Sequence, residues 1–547
     1  MKNHIKNFGL YWRTLRHLKA RQISNRFLRK FFPSKSRLVT TPLRSQFRAN
    51  IAWPPKKQSI LTSDEFYFLN RKMHLNFPDD WNNQSIALLW TYNLHYFDGL
   101  LASETDDYLK KKHIDRWIKD NLSAASVAWD PYPTSLRIVN WIKWSWANNE
   151  SPDTFIRSLA IQISHLFGSL EYHLLGNHLL ENAKALIFGG CYFVGDDATK
   201  WLNKGLEIID QELSEQVLED GGHFELSPMY HSIMLELVLD LLALAKSVDS
   251  PIELRSRRLM LSSVAQKMKS WLTVMTHPDG EIAFFNDAST NIALSPSTLD
   301  NYLTRMEGKV EKFSSPLVTH LSASGYVRMN VKNAVLFADI AEIGPSYLPG
   351  HGHADALSIE LSLFSYRLFV NLGTSEYGDG TRRQFERSTA AHNTLELNGE
   401  SSSEIWSAFR VGRRAKVIGD ELESNTSMCK LIAKHDGYRH LSGRPIHSRS
   451  IFFAQGHLEV ADEIDQNSYI GNVRFHIHPS IELVLDKDGT NGSFIFPNGF
   501  VAIWQSSADT VSLESNNYSW EFGRITPVKT LVLRQINNKK SILKVQW

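Results

Sequence analysis

Met229 to Val248 reads MYHSIMLELVLDLLALAKSV, with apolar side chains recurring at three and four, the period of one face of an α-helix. Gly325 to Val331 reads GYVRMNV, and from there apolar and polar residues alternate, the period of a half-buried strand. The chain therefore divides into a helical half and a strand half. Upstream of Met229 the helical period runs through SLRIVNWIKWSWA, TFIRSLAIQISHLFGSLEYHLL, ENAKALIFGGCYF and ATKWLNKGLEIIDQELSEQVL. SPDT before Phe155 and ELSP before Met229 offer an N-cap followed by proline at the first helical position. Such a run reads as antiparallel helical hairpins, closed into a ring or stacked as an open solenoid. Downstream, AVLFADIAE, ALSIELSLF, YRLFVNLG, HNTLELNG, RSIFFAQGHLEVADEI, VRFHIHPSIELVLD, GSFIFPN, FVAIWQS and KTLVLRQI are short strands separated by turn residues, the pattern of an antiparallel sandwich. KVEKFSSP, between Glu307 and Ala323, interrupts both periods and marks the boundary. The expected units are a basic segment over 1–63, a helical domain over 64–315 and a β-domain over 316–547.

At roughly 150 residues per domain, 547 residues allow about two to four domains. With 42% apolar and 22% charged residues the composition is that of a folded chain and excludes a disordered or collagenous one. Cys191 and Cys429 are the only cysteines, too few for a disulfide framework or a thiolate metal site.

The net charge of +2 conceals an asymmetry. Met1 to Ser63 holds 15 Lys/Arg and no acidic residue, which leaves 45 basic against 58 acidic residues in the remainder. A net of −13 there argues against a nucleic-acid-binding protein. Met1 to Phe32 lacks the uninterrupted apolar core of a signal peptide, and nothing later approaches the roughly 18 apolar residues of a membrane span. Leu10, Tyr11, Leu15, Leu18, Ile23, Phe27 and Phe31 fall near helical spacing opposite Arg13, Arg16, Lys19, Arg21 and Arg29. A basic amphipathic helix of this kind either rests on an anionic membrane surface or packs on the body of the protein with its cations in water. The expected location is the cytoplasm or the periphery of the inner membrane.

Four polar clusters sit where a core wants apolar residues. In GNHLLENAKAL, Asn177 and Glu181 are four apart and His178 and Glu181 three apart, so they share a helical face; the alternative is that Asn177 caps the helix and His178 is a core histidine. In DGGHFELSPMYH, Tyr230 falls in the first turn of a helix, where the dipole favours a phenolate and general acid–base work, with His231 beside it; the alternative is an ordinary hydrogen-bonded tyrosine. LPGHGHADALSIELS places His351, His353 and Asp355 on a glycine-rich loop running into a strand. RSTAAHNTLELNG adds His392 and Asn393 before an alternating strand; His353 and His392 make half a zinc site if a carboxylate joins them. HIHP, His476 to Pro479, lies inside a strand and is taken as structural.

Together with WDPYPTSLRIVNW these clusters, in this order, resemble the heparinase II/III-like family of polysaccharide lyases and its related alginate lyases. The resemblance implies an α+β multidomain protein, an incomplete (α/α) toroid followed by an antiparallel β-sandwich, with an anionic polysaccharide in the cleft between them. It implies β-elimination beside a 4-linked uronic acid, in which the sugar carboxylate is neutralised, the C5 proton is removed and the departing O4 is protonated. Carried over by motif, Asn177 and His178 are the carboxylate-neutralising pair, with Glu181 orienting the histidine. Tyr230 is the acid, or both acid and base, and His351 is the second base. Tyr132, Arg137, Tyr377 and Arg387 are expected to line the cleft. No cofactor is required; a structural zinc of the family would use His353 and His392, but the position of its aspartate carries Asn371, a neutral and poorer ligand. The basic N-terminus in place of a signal peptide suits bacterial surface-polysaccharide metabolism, with peripheral membrane contact through that segment. A non-catalytic polysaccharide-binding or assembly protein is the second expectation. A glycoside hydrolase drawing on Glu181, Glu225 or Asp287 is the third.

Overall fold

The computed structural model describes residues 2–31, 43–45, 51–122, 126–149, 152–308, 316–466 and 468–547. Helices come first: α1 (Lys2–Leu15), α2 (Ala20–Phe31), α3 (Leu88–Tyr96), α4 (Asp107–Asp120), α5 (Pro131–Asn148), α6 (Asp153–Gly168), α7 (Gly176–Tyr192), α8 (Asp196–Gln216), α9 (Pro228–Lys246), α10 (Ile252–Arg255), α11 (Arg258–Val274) and α12 (Pro296–Glu307). The helix expected at Met229 starts where its caps place it, with Pro228 in the first turn and the Ser227 hydroxyl accepting the Tyr230 N–H at 3.1 Å. Before Phe155 the expectation is corrected: Pro152 precedes the helix as its N-cap and Asp153 is the first helical residue, while Ser151 lies outside the described residues. Among those residues α9 is long and apolar enough to span a bilayer, which the sequence reading did not anticipate, but 89% of it is enclosed in the helical core. Its length serves packing: Leu235, Leu239 and Leu242 meet Leu179, Leu186 and Trp201 of the neighbouring helices in one apolar cluster.

The interior of the helical half also holds charge. Lys143 and Lys184 lie 2.7 and 3.6 Å from Asp240, Lys184 lies 2.9 Å from Glu181, and Lys56 lies 2.6 Å from Glu236. Buried cations persist only when anions face them, so these three carboxylates are committed to the fold.

α12 ends at Glu307 and the first strand of the second half begins at Val318; the expected breakpoint, residues 309–315, lies outside the described residues. Every ladder of the strand half is antiparallel. A five-stranded sheet runs from Val318 to Phe369. A four-stranded sheet has the order Leu395–Leu397, Gly471–His476, Thr526–Gln535, Thr510–Tyr518, and an eight-stranded sheet runs from Val417–Ser424 at one edge to Glu482–Leu485 at the other. Leu336 and Leu361, Phe475 and Leu531, and Phe453 and Trp504, from the three sheets in turn, share one core. Strands Val417–Ser424 and Thr510–Tyr518 escaped the sequence reading because each is a sheet edge facing water, where apolar alternation has no packing to report. The two halves are joined by packing: Tyr347, Val370, Leu372, Tyr518 and Phe522 of the strand half belong to the helical core.

Within the strand half Asp462 is buried between Arg449 (Nε at 2.8 Å, Nη2 at 3.0 Å) and His447 (Nε2 at 2.7 Å), and His447 Nδ1 lies 3.0 Å from His435 Nε2. Against the burial that alone raises it, the Arg449 charge holds the Asp462 carboxyl down at about 2. Burial lowers His447 even though Asp462 accepts from it.

The N-terminal segment forms two helices rather than one. Both lie across the seam between the halves. Arg13 Nε donates to Glu404 Oε2 at 2.7 Å and Thr14 accepts from Trp406 Nε1 at 3.1 Å on the strand side. Lys19 pairs with Glu215, and the Arg21 guanidinium lies 3.9 Å from the Tyr172 ring, on the helical side. The buried Gln22 amide donates to the carbonyls of Leu174 and Tyr347, one from each half, at 3.3 and 3.4 Å. This corrects the expectation of cations in water: part of the cationic face is turned inward and much of the apolar face is left outside.

Candidate active site

The site grows from the start of α7. Leu175 and Gly176 take φ values of 67° and 59°, and a Cβ at Gly176 would stand 2.4 Å from Leu348 Cδ2 and 2.7 Å from Glu225 Oε1. Only glycine lets the strand-half loop and the helix approach this closely. Glu225 then accepts from the Asn177 backbone N–H at 3.1 Å and from its Nδ2 at 3.0 and 3.2 Å, so a carboxylate caps the positive end of α7 and fixes the Asn177 amide. Next in the chain, His178 Nδ1 lies 3.1 Å from Glu171 Oε1, while Asn182 Nδ2 donates to Glu171 Oε2 at 3.0 Å. Burial alone lowers the His178 pKa, but the Glu171 charge and hydrogen bond, with Glu225 and Glu181 behind them, outweigh it and raise the pKa above 6.5. The side chain stays 31% exposed, so an imidazole whose protonated form Glu171 favours reaches the surface of the site.

The strand half brings His351 to the same place. Its ring stacks on Tyr230 with centroids 3.8 Å apart, its Nδ1 lies 2.9 Å from Asp287 Oδ2, and its Nε2 lies 3.4 Å from Glu225 Oε2. Glu225 therefore links Asn177 of the helical half to His351 of the strand half. Asp287 is buried and paired with Arg383, whose Nη2 donates to Oδ2 at 2.7 Å; its Oδ1 lies 2.8 Å from His353 Nε2. Burial works to raise the Asp287 carboxyl, and the Arg383 guanidinium with the two histidine hydrogen bonds holds it well below 3.8. A carboxylate thus stands behind His351 Nδ1, the arrangement that orients an imidazole and fixes which nitrogen carries the proton.

Several expectations are corrected. Tyr230 sits in the first turn of α9 as expected, but its pKa is raised well above 10, first by burial and then by Tyr377 and Asp287, so the helix dipole does not produce a phenolate. The phenol stays protonated, its hydroxyl 3.2 Å from that of Tyr377. His231 turns away: Nε2 lies 2.9 Å from the Met268 carbonyl and the ring stacks on Trp271. Glu181 does not orient His178; the buried Lys184 claims it, and Glu171, seven residues upstream of His178, takes the role. Arg137 is fully buried, its Nε donating to Gln162 and its guanidinium lying over Trp117; Arg387 is fully buried and spends its hydrogens on the carbonyls of Gly352, Ser407 and Ala408. Both are spent on internal partners and neither is exposed to a ligand. Tyr132 does flank the site, its half-buried ring 4.5 Å from that of His178, and Tyr377 lines the opposite side.

The expected metal pair is assembled differently. His353 Nδ1 lies 3.1 Å from His392 Nε2, and its other nitrogen is committed to Asp287. The Asn371 side chain donates to the Phe284 carbonyl at 2.8 Å and accepts from the Asn393 N–H. Among the described residues no group of three His, Cys, Asp or Glu side chains has a ligand arrangement, so these donors do not fit a zinc ion. Glu171 and Arg383 were not singled out in the sequence, and Glu225 and Asp287 were named there only as hydrolase carboxylates and not as partners of Asn177 and His351. Asp287 and Arg383 act on residues 64 and 96 positions away.

An amide, two imidazoles and a phenol drawn from both halves and linked through Glu225 and Asp287 mark a two-domain helix-and-sheet protein with one shared polar cluster, and the comparisons identify the family. Residues 102–307 match the family described as Heparinase II/III N-terminus and residues 315–546 match Heparinase II/III-like, C-terminal. The chain belongs to the heparinase II/III-like family. It is similar to the heparin-sulfate lyase of Bacteroides stercoris, 24% identical over 72% of this chain and 60% of that protein. It is similar also to FtsZ-localized protein C of Caulobacter vibrioides, 24% identical over 86% of this chain and 83% of that one. The crystal structure of heparinase III shares the fold, with a TM-score of 0.74 at 18% identity over 96% of this chain and 89% of that chain. The chain thus spans less than two thirds of the length of the Bacteroides stercoris relative.

Proposed function

We propose that the protein is a polysaccharide lyase that breaks a 4-linked uronic-acid-containing chain by β-elimination, and the observation that carries this reading is the His351–Tyr230 stack 3.8 Å from centroid to centroid, reached from Asn177 and His178 through Glu225. A C5 proton becomes removable once the neighbouring carboxylate is neutralised, and His178, favoured in its protonated form, supplies that charge beside the Asn177 amide. His351, backed by the Asp287 carboxylate, takes the proton from C5. The C4–O4 bond then breaks, the electron pair of the C5–H bond becomes the C4=C5 double bond, and Tyr230, held protonated, gives its hydrogen to O4. No water is consumed. Hydrolysis is disfavoured because its candidate carboxylates are occupied: Glu181 by Lys184, Glu225 by Asn177 and Asp287 by Arg383, and an Asp held ionised cannot serve as the acid. The name of the Caulobacter vibrioides relative gives a location and no reaction, which supports a second reading, a non-catalytic polysaccharide-binding protein that keeps the groove.

Incubation with a panel of uronate polymers separates the two. A lyase produces an ultraviolet-absorbing unsaturated end, a hydrolase only reducing ends, and a binder neither. Tyr230→Phe removes one hydroxyl from a half-buried site and is expected to lower turnover about 10²–10⁴-fold without shifting the melting temperature. Unchanged turnover would exclude Tyr230 as the acid.

A further inference from the structure

The two N-terminal helices carry an apolar face that the rest of the protein leaves uncovered. Phe8, Trp12 and Leu15 of α1, and Ile23, Phe27 and Phe31 of α2, repeat at three, four and eight and are 47% to 74% exposed. Each triplet is one stripe of its helix, pointing away from the inward contacts made by Arg13, Thr14, Gln22 and Arg29. A lone exposed leucine needs no explanation; two aligned stripes containing a tryptophan and three phenylalanines do.

Charge says what covers them. Arg16 and Arg26 are exposed beside the stripes, and Arg410 and Lys416 of the strand half are exposed at the same seam. Among the described residues none of these four pairs with a carboxylate, and the whole of 1–63 contains no acidic side chain. The cations stand close enough to act on one another: after burial, it is Arg414, Arg16 and Lys416 that depress His17, and Arg410 that acts on Arg26. A second copy of the chain seated here would oppose one cationic rim to another, whereas an anionic bilayer offers hydrocarbon to the stripes and phosphate to the rim.

We propose that α1 and α2 dock the protein on an anionic lipid bilayer, the six apolar side chains entering the headgroup–acyl boundary and Arg16, Arg26, Arg410 and Lys416 meeting lipid phosphates. The surface adjoins the groove, because Gln22 of α2 bonds the loops that precede Asn177 and His351, so a docked protein meets polymer at the membrane. The proposal is independent of whether the groove turns over its ligand.

Sedimentation of the full chain with phosphatidylcholine vesicles, with and without phosphatidylglycerol, tests it. Binding is expected only with the anionic lipid and is expected to weaken with salt. Trp12→Ser/Phe27→Ser and, separately, Arg16→Glu/Arg26→Glu are each expected to lower the partition coefficient on the order of ten-fold or more at unchanged melting temperature. Ile23→Ser, a single change at an exposed site, is expected to lower it by a smaller factor and stands in should a double variant melt early. Absence of binding to anionic vesicles at low salt would overturn the proposal, as would binding that survives both double variants. A lipid-free dimer, abolished by Trp12→Ser/Phe27→Ser, with no vesicle binding would assign the face to a second copy instead.

Discussion

Asp287 at the groove and Asp462 in the β-core are built alike. Each is buried, each meets an arginine guanidinium, and each faces the Nε2 of a histidine whose Nδ1 lies about one hydrogen bond from the Nε2 of another: His353 and His392 in one case, His447 and His435 in the other. The Asp–Arg–His–His arrangement is therefore a packing solution that this chain uses twice, and it carries no activity by itself. Asp287 differs in its further contacts, to the Thr374 hydroxyl at 3.3 Å and to His351, whose side chain is 14% exposed and stacked on Tyr230. On the proposed reading, the contact to His351 is what turns a structural motif to use. The repetition also explains why His353 and His392 suggest a metal pair in sequence while serving as a buried hydrogen-bonded pair in the fold.

The largest expected effect comes from the arginines. Arg449→Met and Arg383→Met each strand a buried carboxylate and are expected to cost about 3–5 kcal/mol in urea unfolding. Only Arg383→Met is expected to reduce turnover per folded molecule as well, by about 10²-fold or more, since Asp287 alone supports a group in the groove. An equal loss of turnover in Arg449→Met would break the distinction.

Acid sharpens it. His447 has a folded pKa below the ordinary value, so its contribution to stability is fully present above pH 6.5 and is lost as the pH falls below it. Asp462, held at about 2, keeps its contribution above 3.8 and loses it only in stronger acid. As the pH falls below 6.5, His447→Gln is expected to remove up to about 1.4 kcal/mol per pH unit from the slope of unfolding free energy against pH, until the lowered folded value is reached. An unchanged slope would place the proton elsewhere.

The smallest effect concerns the opposite case. His178 also touches a carboxylate, and here its pKa rises. Burial works against it, and the Glu171 charge and hydrogen bond outweigh that burial; the contribution is fully present below pH 6.5 and fades as the pH rises through the raised value. Glu171→Gln is expected to lower the His178 titration midpoint, followed by ring-proton NMR, and to cost about 1 kcal/mol below that midpoint. A midpoint that stays raised would show that Glu225 and Glu181 suffice.

The division of the molecule was legible because hydrophobic period is local: the helix of Met229–Val248 and many of the strands from Gly325 onward announce themselves within a dozen residues, whereas Val417–Ser424, Met428–His435, Thr510–Tyr518 and Lys540–Gln546 do not. Asn177, His178, Tyr230 and His351 were legible for a similar reason, each lying in a short polar cluster inside an apolar run. Their partners were not. Glu225 reaches back 48 residues to Asn177 and Asp287 forward 64 to His351, separations at which periodicity carries no information. Glu181 was misassigned because helical spacing offers it both His178 and Lys184, and the choice is made by the buried lysine's need for an anion. The acidity of Tyr230 was misjudged because position in a helix is readable from sequence and depth of burial is not.

The Gln22 amide, clasping one carbonyl from each half, bears on how shortened forms of this chain behave. Deleting the first two helices removes a clamp across the seam as well as any anchoring segment. A trimmed protein that behaves poorly would thus owe part of its deficit to a loosened seam, and an intact protein with Gln22→Ala is the proper comparator for any such deletion.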